Sequence, residues 1–157
     1  AKPKRPESSM DDEDTAARKH TAANDPAFPA RREEAYARIV AALDGALTPQ
    51  GYALKGTTWS KSSPQGRSAI HLQRNRYGWE VQIVLRFLTL DGDAPDHPDW
   101  DEDGEITMER FGGGGGEDPG RLAFLDVLER PAHLARTIDI LVDEALPWLE
   151  TLHFPQG

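Results

Sequence analysis

WEVQIVLRFL, residues 79 to 88, decides the fold. Trp79, Val81, Ile83, Leu85 and Phe87 alternate with Glu80, Gln82, Val84, Arg86 and Leu88, so an extended segment has one wholly apolar side and one mixed side. That is the signature of a strand buried on one face. NRYG before it reads as a turn, and Ser68 to Asn75, which follows the turn-like SSPQG, places Ile70 and Leu72 on a common face. The two segments form a hairpin.

Two more strand candidates flank this pair. Tyr52 to Lys61 is broken by Gly56, which predicts a bulge or bend, and Ile106 to Phe111 forms a strand after the acidic interruption Asp91 to Glu105. Upstream, from Arg31, Tyr36, Ile39, Val40, Leu43 and Leu47 recur at helical spacing, and TPQG ends that helix. Downstream, GGGGGEDPG has the composition of a linker and Leu122 to Leu128 that of a short helix. A last helix starts near Pro131 and buries Leu134, Ile138, Leu141, Val142, Ala145 and Leu149, with a kink at Pro147. Residues 1 to 30 hold only Met10 and Phe28 as large apolar side chains and read as a flexible tail before a single domain, 31 to 157. The expected fold is α+β: an antiparallel meander of about four strands covered by an N-terminal and a C-terminal helix.

Composition narrows the function classes. The 157 residues carry 18 basic and 27 acidic side chains, so the formal charge of −9 repels phosphate backbones and anionic lipid and attracts cationic surfaces. A basic protein is the expected partner, with neither nucleic acid nor membrane. The absence of cysteine removes disulfides, thiol nucleophiles and thiolate zinc sites together. AKPKRPESSM is charged where a signal peptide is apolar, and no run reaches a membrane span, so the expected compartment is the cytoplasm.

Three segments, LTPQGYALKGTTWSK (47 to 61), IHLQRNRYGWEVQIVL (70 to 85) and ALPWLETL (145 to 152), together resemble a bacterial family, domain of unknown function 4304. The resemblance spans roughly residues 35 to 152. It implies the same helix, meander and helix, and brings no catalytic residues. The acidic loop and the glycine run depart from the usual family pattern.

Little else carries chemistry. DWDEDGEITMER, 99 to 110, follows the calcium loop of an EF-hand at Asp99, Asp101, Asp103 and Gly104, with Ile106 at the apolar position, but Arg110 stands where a bidentate Glu belongs. Prolines and glycines replace the flanking helices, so a solvated loop is the simpler reading and calcium the alternative cofactor to none. GYALKGTT, 51 to 58, has Thr57 in place of the phosphate lysine and lies between a helix and a strand, the reverse of a P-loop. His20, His71, His97, His133 and His153 show no metal-ligand spacing.

The leading functional expectation is therefore a non-enzymatic acidic binding protein. Asp96, Asp99, Trp100, Asp101, Glu102, Asp103 and Glu105 would hold the basic partner, with Trp100 as an exposed aromatic anchor. An immunity protein or antitoxin against a cationic toxin is its most concrete form. The alternatives are a small enzyme or ligand-binding domain using a polar sheet face with His71, Arg74, Glu80 and Arg86, and a calcium-responsive loop through Asp99, Asp101 and Asp103.

Overall fold

A computed structural model describes residues 26–74, 78, 80–95, 100, 104–112 and 118–154. Helix α1 (Phe28–Leu47) passes through one 3-10 turn (Thr48–Gln50) into β1 (Ala53–Lys55), β2 (Thr58–Ser63), β3 (Gly66–Arg74), β4 (Glu80–Thr89), β5 (Glu105–Thr107) and β6 (Arg121–Ala123). Three further helices follow: α2 (Phe124–Glu129), α3 (Pro131–Ile140) and α4 (Leu146–His153), the last two joined by a π-helical turn (Leu141–Ala145). All strand pairings are antiparallel, in the order β1-β2-β3-β4, with β5 and β6 both beside β4. The fold is α+β with a meander, helical at its N-terminal and C-terminal ends, as the alternation at residues 80 to 88 predicts.

The period of two does the sorting. Leu54, Trp59, Ile70, Leu85 and Ile106 are successive cross-strand partners in one row, and Trp59, Ile70 and Leu85 are fully buried there. Lys55, Thr58, His71, Val84 and Thr107 form the adjacent row, which points to the other face. Helices pack on the first face. From α1, Asp44 accepts a hydrogen bond from the indole Nε1 of Trp59 at 3.0 Å, so the largest buried ring keeps its one polar atom satisfied.

Several expectations need correction. Phe28 is only 1% exposed and begins α1, so the tail boundary at residue 30 falls inside a helix; residues 1–25 lie outside the described set. Gly56, with φ +66, is no bulge. It sits in the two-residue hairpin loop between Lys55 and Thr58 and divides the predicted strand into β1 and β2. The strand expected at 106 to 111 is three residues long, because the chain turns at Met108, whose side chain is fully buried.

Leu122 belongs to β6, and the short helix starts at Phe124. β5 pairs with Val84 to Arg86 and β6 with Glu80 to Gln82, so the two are halves of one interrupted edge strand. Residues 113–117, most of the glycine run, lie outside the described residues; the segment that contains them joins the two halves of one sheet edge rather than two domains.

The last helix shows why Pro147 is tolerated. Thr137, Leu141, Ala145, Leu149 and His153 are all buried and all four residues apart. In an ideal α-helix each such step advances about 40° beyond a full turn, so the stripe would wind off the sheet. The π-turn at Leu141–Ala145 takes up an extra residue and brings the later positions back. It also stands where the Pro147 ring would collide with the carbonyl of Asp143, the residue four earlier.

Candidate functional site

Strand alternation puts Ser68 on the covered face, in phase with Ile70 and Leu72, and the stripe of α4 brings His153 onto it. The result is a continuous polar chain inside the core. The Tyr52 hydroxyl shares a hydrogen bond with Ser68 Oγ at 2.8 Å, Ser68 Oγ meets His153 Nε2 at 2.7 Å, and His153 Nδ1 meets Ser63 Oγ at 2.6 Å. Ser68 is fully buried and His153 is 1% exposed.

Burial is the main reason the His153 pKa lies below the ordinary histidine value, with Glu150 opposing and Lys61 adding to the effect. Burial also pushes Tyr52 up to about 12. Beside this chain Lys61 Nζ donates to Glu150 Oε1 at 2.5 Å and to the Gln50 carbonyl at 3.0 Å, tying α4 to β2. A buried serine in the apolar phase of a strand was the signal in the sequence. It passes unnoticed because its partner lies 85 residues away.

The opposite face of the sheet holds part of the polar set expected around His71. His71 Nδ1 and Thr58 Oγ1 are 2.8 Å apart across β2 and β3. Arg86 is exposed on the same face, paired in register with Glu105 and Ala69. Glu80 is 7% exposed and accepts from Arg121 at 2.6 Å, an ion pair across β4 and β6. Arg74 does not join them. It is in register with Val81 on the opposite face, where its guanidinium lies 4.1 Å from the centre of the Tyr36 ring. Glu80 and Arg86 are six positions apart on one strand, roughly 20 Å. The four residues expected to form a pocket therefore do not converge.

Asp96, Asp99, Asp101, Glu102 and Asp103 lie outside the described residues, and with them the calcium reading of Asp99, Asp101 and Asp103. Among the described residues no cluster of three or more His, Asp or Glu is placed to hold a metal. Two positions of the motif have work in the sheet. The carbonyl of Gly104 accepts from Phe87 N at 3.0 Å, and with φ +73 a Cβ there would meet the Phe87 carbonyl at 2.5 Å. Ile106 pairs with Leu85.

Trp100 is not the exposed anchor expected. At 8% exposure its ring stacks on Trp148 of α4, centroids 5.2 Å apart and planes 14° off parallel. Phe111 meets Trp148 edge-on at 5.7 Å, and the Arg110 guanidinium lies 4.3 Å from its centroid. Among the described residues the buried Trp100 Nε1 has no hydrogen-bond partner, and ring packing holds the side chain. The acidic segment is thus pinned near its middle to α4, and at its ends by Thr89 N donating to the Asp93 carbonyl and by Gly104. Glu144 Oε1, on the π-turn, accepts from Gly112 N at 3.1 Å just beyond it. No helix among the described residues is long and apolar enough to cross a membrane.

No family model, curated protein or solved structure matches the chain.

Proposed function

We propose that this chain is a non-enzymatic, cytoplasmic binding protein whose segment Asp91 to Glu105 holds a basic protein partner, an immunity protein or antitoxin against a cationic toxin being the most concrete form. The support is electrostatic first. The segment contains eight of the 27 acidic residues and no Lys or Arg; without it the chain has 27 − 8 = 19 acidic against 18 basic residues, a charge of −1. Nearly the whole net charge of −9 is concentrated in 15 residues. Such a field steers a cationic partner and repels nucleic acid.

The observation that carries the reading is the seat of Trp100 on Trp148. A charged loop without an anchor loses much of its binding energy to ordering, whereas one fastened within its own length starts with part of that cost met. Trp100 accordingly acts from beneath, as a fastening rather than a contact. The proposal requires neither metal nor cofactor. The resemblance to domain of unknown function 4304 names no activity that would oppose it.

The test uses the full chain to recover a basic partner from the native host, then compares Asp99→Asn/Asp101→Asn/Asp103→Asn with wild type. Association should slow by about tenfold or more at low salt, and the difference should shrink as salt rises. A partner bound unchanged by the triple variant, or no basic partner recovered, would end the reading.

A further inference from the structure

The polar chain and the tryptophan stack share one helix. Trp148 and His153 both lie on α4, Trp148 under Trp100 and His153 against Ser63 and Ser68. We infer that His153 is a pH-sensitive latch: when the imidazole takes up a proton, the last turn of α4 leaves the sheet and loosens the Trp148 platform on which the acidic segment is seated.

The geometry gives the reason. A neutral imidazole donates through one nitrogen and accepts at the other, which suits two serine hydroxyls, one of them relayed to Tyr52. An imidazolium donates through both. The hydroxyls can turn to accept, so hydrogen bonding survives protonation, but the charge does not. It would stand in a site 1% exposed, between the rings of Phe87 at 5.1 Å and Phe154 at 6.1 Å.

The charged groups facing it are Lys61 from β2 and Glu150 from its own helix; β3 contributes Ser68 and the turn before β1 contributes Tyr52. Glu150 is already held by Lys61, and Lys61 repels a second cation. Leaving the sheet is the way such a cation reaches water. Because the folded pKa lies below the unfolded value of about 6.5, the contact is fully stabilising above that pH and is lost as pH falls toward the folded pKa.

The latch stands on the buried chain alone. Its effect on partner binding rests on the reading of the acidic segment as the contact surface. The experiment follows the circular-dichroism couplet of the stacked tryptophans, assigned with Trp148→Phe, in the full-length protein from about pH 8 to about pH 5. Amide exchange of residues 148 to 154, corrected for its intrinsic pH dependence, is measured alongside.

Wild type should begin to lose the couplet as pH falls below about 6.5 and lose more toward the folded pKa, with opening rising by up to about tenfold per pH unit. His153→Gln keeps a donor and an acceptor without titrating, and should hold both signals flat. Parallel profiles in wild type and His153→Gln, or a wild-type couplet unchanged to about pH 5, would overturn the latch. Should His153→Gln not fold, the His153 ring titration in wild type, read by NMR, replaces it: a ring that takes up its proton while the couplet stays intact is equally fatal. A couplet that responds while partner binding stays constant would leave the latch standing and remove the acidic segment as the contact surface.

Discussion

His71 and His153 each share a short hydrogen bond with a hydroxyl of β2, at 2.8 Å to Thr58 and 2.6 Å to Ser63, yet they stand on opposite faces of one sheet. His71, on the face opposite the helices, is only half-buried and has solvent to fall back on. His153, under α4, has none, and its second nitrogen must also find a partner, which Ser68 supplies at 2.7 Å. The same pair of chemical groups is a local ornament in one place and a structural commitment in the other. Burial decides which, because an unsatisfied or charged group costs its full desolvation only where water cannot reach it.

Substitutions along the two faces should separate by size. Trp59→Ala, at the centre of the covered row, should cost about 3–5 kcal/mol in urea unfolding: it opens a large cavity and strands Asp44 of its indole donor. His153→Ala should cost about 2–4 kcal/mol, since it leaves Ser63 and Ser68 without their shared partner and a gap beside Phe87. Losses below about 1 kcal/mol at both positions would erase the distinction between the faces.

The alkaline limb probes the far end of the same chain. Burial pushes Tyr52 up to about 12, the Ser68 hydrogen bond opposing and Glu150 adding to the rise. Above about pH 10 the unfolded chain gives up the phenolic proton while the folded one keeps it. The contribution is therefore whole below about pH 10 and lost as pH climbs to about 12, roughly 2–3 kcal/mol in all. Tyr52→Phe should flatten that limb in a pH series of urea midpoints.

What was legible in the sequence follows the same division. Val81, Ile83, Leu85 and Phe87 fall at every second position, so the central strand and its apolar side could be read directly, and the helical spacing on either side of the strands gave the covering helices. Gly56 was visible as a disturbance, but whether a glycine bends a strand or turns a hairpin depends on cross-strand pairing, here Lys55 with Thr58. The interrupted edge strand was hidden because β5 and β6 are three residues each, too short for any period.

At the candidate site the eight acidic residues announced themselves by charge, but the fate of Trp100 did not, because its seat is set by Trp148, 48 positions on. Arg74 was misplaced for a simpler reason. Counting by two from Ile70 and Leu72 puts it on the covered face, away from His71.

The smallest effect completes the contrast. His71→Ala removes a hydrogen bond from a half-buried side chain and leaves Thr58 Oγ1 at a surface where water can replace the imidazole. Unfolding should shift by about 0.5–1 kcal/mol, several times less than for His153→Ala, although both imidazoles make bonds of similar length to β2. A loss at His71 as large as that at His153 would mean that something covers this face in solution. That face would then carry an interface of its own, and the acidic segment would no longer stand alone as the place to look for a partner.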